Sequence, residues 1–352
     1  MPNLAQMQMP PLPPAVAVTI FYRQLVVTGL VLAVLVALAV RFWPRRPSER
    51  APVISERALL IRGLGVLWAL DGLLQTQPLM VTRFLSGVVA PLMAGEPGPL
   101  ADLLRFGVQV WGINPISANV FATFIQLGIG LALLLGRDGQ LRRTALWTSI
   151  AWGLIVWIFG EAMGGIFVGG GWLSGAPGSV LIYVIAAGAA LLPAKVWQSG
   201  FLHRAAGRVI AAVLLLNALL QAWPAAGFWQ SDTLSGFVTG MSQMPQPAPL
   251  ALPVAAFGAA LQANPSLWNA ALVVVLAVLG VAWLVRPGSR VLWLLTALWV
   301  VLAWYFGQEF GVLGGMGTDP NTGAIMLLTL GVFVRGAEAV APARHPAAAE
   351  AR

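Results

Sequence analysis

The chain has 352 residues, a formal net charge of +8 and no cysteine; 59% of it is hydrophobic and only 9% charged. A soluble domain carries about 25% charged residues, so the composition excludes an ordinary water-solvated fold. The missing cysteine excludes disulfides, thiolate metal sites and iron–sulfur ligation. The basic residues fall in short stretches between apolar runs, which assigns the positive charge to a membrane surface rather than to nucleic acid.

A Pro-rich start leads into a first apolar run, Gln24–Val40, closed by Arg41-Phe42-Trp43-Pro44-Arg45-Arg46. As a cleaved leader, with Ala37-Leu38-Ala39 as the small-x-small site, it would be unusually long. Cleavage would also leave five arginines outside, so the run is read as an anchor helix. Further runs at about 58–75, 116–135, 144–160, 178–192, 207–222, 266–285, 291–307 and 323–340 approach the ~20 residues that cross a bilayer. With the N-terminus outside and the C-terminus in the cytoplasm, 17 of the 20 lysines and arginines fall on the inner side, and only Arg23, Arg83 and Arg105 do not. That asymmetry follows the positive-inside rule and predicts a multi-pass inner-membrane protein of about nine helices. His203 and His345 both fall in predicted cytoplasmic segments, which excludes a helix-borne pair of haem ligands.

The chain repeats itself at a spacing near 147 residues. Asp71-Gly-Leu-Leu-Gln75 returns as Asn217-Ala-Leu-Leu-Gln221, Asn114-Pro115 as Asn264-Pro265, and Trp157-Ile-Phe-Gly160-Glu161 as Trp304-Tyr-Phe-Gly307-Gln308. Each copy holds four spans, so both copies share one orientation. The expected architecture is all-α. Residues 1–57 form a Pro-rich N-terminus, an anchor helix and a basic linker. Residues 58–196 and 205–336 form two tandem four-helix repeats, and 337–352 a disordered cytoplasmic tail. The segments Thr76–Pro115 and Ala222–Pro265 are long, apolar and rich in Gly, Pro and Met. Leu79–Met93 and Pro99–Gly112 read as short helices at the outer interface, capping the outer face.

Arg62 with the spaced Gly65 and Gly72, and the run Gly128-Ile-Gly130-Leu-Ala-Leu-Leu-Leu-Gly136 followed by Arg137, carry a resemblance. Each half resembles the four-helix membrane proteins of the DoxX/MauE-like group, over roughly 270 residues as two copies. That group often has a lysine late in its first helix and a glutamate early in its second; here Gln75 and Gln126 stand at those places. The resemblance implies association with a quinone-linked oxidoreductase complex.

Polar residues inside a membrane need a reason, since a charge at the helix centre costs ~2.5–3.5 kcal/mol on insertion scales. Asp71 lies nine residues into its span, and Gln75 follows one turn later on the same face. Asn217 and Gln221 repeat the pair without the charge. The two readings are a polar binding spot, proton-coupled through Asp71, and a plain interhelical hydrogen bond. Glu161 and Gln308-Glu309 end equivalent helices within Gly-x-x-x-Gly sequences, which serve either close helix packing or an outward pocket. The candidate pocket gathers Asp71, Gln75, Asn114, Glu161, Asn217, Gln221, Asn264, Gln308 and Glu309. Arg83 and Arg105 are candidate anion contacts, with pairing to Glu96, Asp102 or Glu161 as the simpler role.

No metal site is predicted. Met7-x-Met9 and Met241-x-x-Met244 could attract Cu(I), but no Cys or His stands near them. No nucleophile–base arrangement survives either: there is no Gly-x-Ser-x-Gly and no outer His, and an aspartate pair would need Asp where Asn217 stands. The expectation is therefore a protein without catalysis or resident cofactor of its own, quinone being the one candidate ligand. Its first reading is a membrane subunit or docking partner of a quinone-linked redox enzyme. The alternatives are a transporter for a small solute or ion, and a structural or assembly factor.

Overall fold

In the computed structural model the described residues are 12–42, 55–136, 139–312 and 317–340, and they contain helices, turns and no strand. Met7, Met9, Arg137 and the tail from residue 341 lie outside the described residues, as do 43–54 of the basic linker. The helices are α1 (Pro14–Phe42), α2 (Ser55–Leu74), α3 (Pro78–Thr82), α4 (Ala90–Leu92), α5 (Gly98–Gly112), α6 (Pro115–Leu135), α7 (Gly139–Phe159) and α8 (Ser179–Leu191). A short α9 (Ala194–Gln198) then leads to α10 (Phe201–Ala222), α11 (Ser231–Ser242), α12 (Ala248–Ala263), α13 (Pro265–Val285), α14 (Arg290–Gln308) and α15 (Asn321–Val340). Gly200 takes a left-handed φ of 70° that lets the chain reverse directly into α10.

Five described helices are long and apolar enough to cross a membrane: Pro14–Ala39, Pro115–Leu135, Phe201–Ala222, Pro265–Val285 and Arg290–Gly311. The other four helices of the nine-span expectation are shorter or more polar. In α2 the apolar run is interrupted by Arg57, Arg62 and Asp71, and α7 opens on Arg142 and Arg143. Only 13 residues make up α8, because Gly160–Gly178 before it is irregular. Most of that segment is buried or half-buried against protein, the condition under which non-helical backbone is tolerated at membrane depth.

Two helix pairs pack in the same way. α2 meets α6 with Gly130 against the backbone of Gly65 and Ala69; a Cβ at Gly130 would stand 2.6 Å from the Ala69 nitrogen. α10 meets α13 with Gly280 against Leu215 and the Ala211 carbonyl. Small residues allow this approach, which in lipid replaces the hydrophobic effect as the driver of association. The Asn119 amide donates to the Gln75 carbonyl at 2.9 Å in one pair, and Asn269 to the Gln221 carbonyl at 3.2 Å in the other.

The turns after α7 and α14 also correspond. Trp157 Nε1 donates to the Pro177 carbonyl at 2.8 Å, and Trp304 Nε1 to the Pro320 carbonyl at 2.7 Å. Ala162-Met163-Gly164 and Glu309-Phe310-Gly311 each run through three consecutive left-handed residues. Gly164 and Gly311 lie against the backbone just before the following helix, where no Cβ would fit.

The halves interlock. α15 packs on α2 and α8 of the first half as well as on α10 and α14. From the first half, the segment before α8 reaches into the second. There Asn217 Nδ2 donates to the Ala176 carbonyl at 2.8 Å and Thr322 Oγ1 to the Gly175 carbonyl at 2.7 Å. In return, the Gly317 carbonyl accepts from Gln77 Nε2 at 2.8 Å. One apolar cluster, including Trp68, Leu133, Tyr183, Leu214, Leu276 and Leu330, runs through both halves. α1 stands apart: Ala17 and Phe21 pack on Ile116 and Val120 of α6, while Val26, Val27, Leu30 and Val34 are exposed. An apolar helix with so little protein contact suits a lipid surrounding.

Candidate functional site

A cavity of about 350 Å³ opens at the end of the first half where α2 and α7 finish and α6 and α8 begin. Its walls are aromatic and aliphatic, from Trp68, Phe84, Val88, Phe106, Trp111, Phe121, Trp152 and Phe159. Leu85–Val89, a π-helical turn, and the amphipathic α5 lie over it. Phe106 and Phe121 line it while remaining 59% and 58% exposed, so its wall continues onto the apolar outer surface. Such continuity gives a lipid-dissolved molecule a sideways entrance.

The polar end is built from both halves. Asp71, on the last turn of α2, is 2% exposed, and neither carboxyl oxygen has a hydrogen-bond partner. The Tyr183 phenol lies beside it, but its oxygen completes no hydrogen bond at standard distance and angle either. Gln75 and Gln126, both buried, line the same cavity, each with an unpartnered Oε1. Burying such groups unpaired costs about 1–3 kcal/mol each. A fold that keeps three of them around one cavity is therefore suited to something that enters and supplies donors.

Two more carboxyls complete this end. Glu161 follows α7 and caps α8. Its Oε1 accepts from the Ser179 nitrogen at 3.0 Å, from Ser179 Oγ at 2.5 Å and from the Val180 nitrogen at 3.3 Å. Asp319 precedes α15 and accepts from the Asn321 nitrogen at 2.5 Å. Its Oδ1 also stands 3.1 Å from Ser179 Oγ. Ser179 has one hydroxyl hydrogen and lies between two carboxyl oxygens, so both contacts are made at once only when one carboxyl holds a proton. The charges agree with this. Burial, and then the neighbouring Asp319, push Glu161 up from 4.5 to about 8. Burial raises Asp319 as well, against the hydrogen bonds it accepts from Asn321, Ser179 and Thr318.

Of the residues singled out in the sequence, Asp71, Gln75 and Glu161 meet at this cavity. The others do not join it. Asn114 is an exposed cap whose side chain accepts from the Ser117 nitrogen at 3.0 Å, and Asn264 is exposed at the matching position before α13. Asn217 is closed off by its bonds to Ala176 and Val213, and Gln221 by a 2.7 Å bond from its Nε2 to Asn269 Oδ1. Gln308 Oε1 accepts from the Thr322 nitrogen at 3.1 Å, capping α15 as Glu161 caps α8. Glu309 accepts from Gln246 at 2.7 Å, on the far side of α14. Arg83 is exposed and Arg105 pairs with Asp102, so neither faces the cavity. Met241 packs on the core and Met244 is exposed. Among the described residues no three of His, Asp and Glu are grouped as metal ligands.

Asp319, Tyr183 and Ser179 were not legible as site residues. Asp319 carried one signal, as an acidic residue in an otherwise apolar, Gly-rich outer segment of a chain with only 12 acids. At the positions matching Asp71, Glu161, Gln126 and Tyr183 the second half has Asn217, Gln308, Leu276 and Met326, and at the position matching Asp319 the first half has Ala176. None of these five residues recurs at its matching position. No protein-family model matches the chain, and no curated protein or solved structure matches it either.

Proposed function

We propose that the chain is an inner-membrane carrier that binds a small lipophilic molecule from the outer leaflet and couples its movement to protons. The observation that carries this reading is Asp71, buried and unpartnered at the polar end of an aromatic cavity. A carboxyl there, with only the Tyr183 phenol beside it, is placed to exchange a proton for a ligand's donor, as a proton-coupled carrier does. The wider frame is nine spans, the N-terminus outside, and two like-oriented four-helix repeats about an axis along the membrane normal. It is supported by the matched helix pairs and turns and by the placement of the basic residues. In that frame the cavity faces outward, the second repeat is a closed scaffold, and the Asp319 segment is the part the second repeat lends to the site.

The test is uptake by proteoliposomes under an imposed proton gradient. Asp71→Asn is expected to abolish uptake while the protein still inserts and folds, since asparagine is the residue at the matching position 217. Undiminished uptake by that variant would remove Asp71 as the coupling group.

A second reading is favoured by the flat aromatic walls and the sideways opening, which suit a quinone-type headgroup with a long tail. It follows the DoxX/MauE-like resemblance and makes the chain a non-catalytic membrane subunit or docking partner of a quinone-linked redox system. Native mass spectrometry of protein purified from membranes distinguishes the two. Bound quinone together with a co-purifying oxidoreductase favours the second reading, and absence of both disfavours it.

A further inference from the structure

The polar end of the cavity is unbalanced in two ways. Its orphaned acceptors are the two oxygens of Asp71 and the Oε1 atoms of Gln75 and Gln126, against the orphaned donors of the Tyr183 hydroxyl and the Trp111 and Trp152 indoles. Its titratable groups are acids, Asp71 on α2, Glu161 after α7, Asp319 before α15 and Tyr183 on α8. α6 holds no Lys or Arg, and the one basic residue of α15, Arg335, is fourteen residues past the start of that helix. The arginines of α2 and α7, namely Arg57, Arg62, Arg142 and Arg143, sit toward the opposite ends of those helices. Arg62, the nearest in sequence, is nine residues below Asp71, about 13 Å along the helix.

We infer that the cavity is a binding site for a lipophilic organic amine. Its ammonium group donates to Asp71, Gln75 and Gln126, and its apolar body lies between the aromatic walls. An ammonium offers only donors and one positive charge, and the acids at this end have no basic side chain beside them to supply that charge. Trp68 and Trp152 line the same space and add ring faces that attract a cation. A cavity of about 350 Å³ lies at the small end of the range for small-molecule sites, roughly 300–1,000 Å³. A compact amine with one ring or a short chain therefore fits. The carboxyls are not grouped as a metal cage, so a molecule bringing its own apolar bulk suits the site better than a bare ion.

Because the amine and a proton compete for one carboxyl group, binding releases a proton. The inference rests on the carrier reading for its role in the cell but not for the binding itself.

The test uses the full-length protein in detergent and three matched probes, 4-phenylbutylamine, 4-phenylbutanol and 4-phenylbutyrate, followed by tryptophan fluorescence and calorimetry. The amine is expected to bind and the alcohol and acid to bind far more weakly. The amine should weaken as the pH falls and should release a proton as it binds in weak buffer. Asp71→Asn and Gln126→Leu, which install the residues of the second half, should each weaken the amine at least several-fold. Asn264→Ala should leave it unchanged. A thermal unfolding transition retained by the variants shows that the loss is not misfolding. Equal affinity for amine and alcohol, or amine binding with no proton release, overturns the inference. Absence of amine binding alongside a bound quinol overturns it too, and supports the redox reading. If the amine binds as described but proteoliposomes do not accumulate it, the site stands and the carrier reading falls.

Discussion

The Asn217 side-chain amide donates to the Ala176 carbonyl at 2.8 Å and so closes, in the second half, the place that Asp71 leaves open in the first. Ala176 and Asp319 occupy matching positions before α8 and α15. Where the first half's segment offers a carbonyl to an amide, the second half's segment offers a carboxyl to a carboxyl. The Asn217 Nδ2 of one pair is hydrogen-bonded, though its Oδ1 has no partner, and the other pair carries an excess of acceptors. Asp for Asn and Asp for Ala are two of the differences that separate the open site from its packed counterpart.

Replacing Asp71 by an apolar side chain is therefore expected to stabilise the protein while destroying the site. Removing an unpartnered buried carboxyl recovers about 1–3 kcal/mol. Asp71→Leu should raise the unfolding midpoint in detergent and abolish ligand binding. A lower midpoint would show that the carboxyl is satisfied in the folded protein.

Stability should fall as the medium becomes more alkaline. Glu161 is raised from 4.5 to about 8 in the folded chain, so the folded state holds a proton that the unfolded state gives up. The resulting stabilisation is complete below about 4.5, is lost as the pH rises towards about 8, and is gone above it. Asp319 is raised as well and adds in the same direction. Thermal unfolding from pH 4.5 to 9 should show this slope, and Glu161→Gln should reduce it. A profile that the substitution leaves unchanged would count against the shared proton.

Two glycines a half-turn apart on α6 should respond in opposite ways. A Cβ at Gly130 meets the Ala69 nitrogen at 2.6 Å and the Gly65 carbonyl at 2.8 Å, whereas one at Gly128 meets nothing within 4 Å. Gly130→Ala must push two backbones apart and is expected to cost about 1–3 kcal/mol. Gly128→Ala should be neutral or stabilising by up to about 1 kcal/mol, from helix propensity alone. Denaturant titration in mild detergent measures both. Equal effects would mean that the α2–α6 contact is looser than described.

The absence of native cysteine makes the orientation directly measurable. Gly98, Gly139, Gly236 and Gly288 are exposed, with no atom within 4 Å of an added Cβ. Single cysteines at 98 and 236 are expected to react with a membrane-impermeant maleimide on intact cells. Cysteines at 139 and 288 should react only after permeabilisation. The reverse pattern would invert the topology.

The helical nature of the chain and its long apolar elements were legible because lipid demands continuous runs, and such runs are visible residue by residue. The short helices between α2 and α6 were legible for a related reason, since Pro78, Pro99 and Pro115 mark helix starts at which a missing amide costs nothing. The cavity was only half legible. Asp71, Gln75 and Glu161 stood out as polar residues in apolar surroundings. Their grouping could not be read, because Asp319 reaches them from the other half and nothing local to its sequence records that crossing. The sequence shows the loss of charge at Asn217 but not the difference in bonding: the Nδ2 of Asn217 and Nε2 of Gln221 bond to neighbours, whereas the carboxyl of Asp71 and the Oε1 of Gln75 have no hydrogen-bond partner.

The reciprocal insertion of the segments before α8 and α15 has a consequence for how the molecule can be divided. A cut at the short connection around α9 would separate two sequence units but not two self-sufficient bodies. The first fragment would lack Asp319 and the cover that Gly317 gives Gln77, and the second would lack the carbonyls that satisfy Asn217 and Thr322. Such fragments would have to reassemble as a split protein, each supplying the other's missing wall. The order in which the halves leave the insertion machinery thus decides when the acidic chamber first exists, which is only after the last helix has arrived.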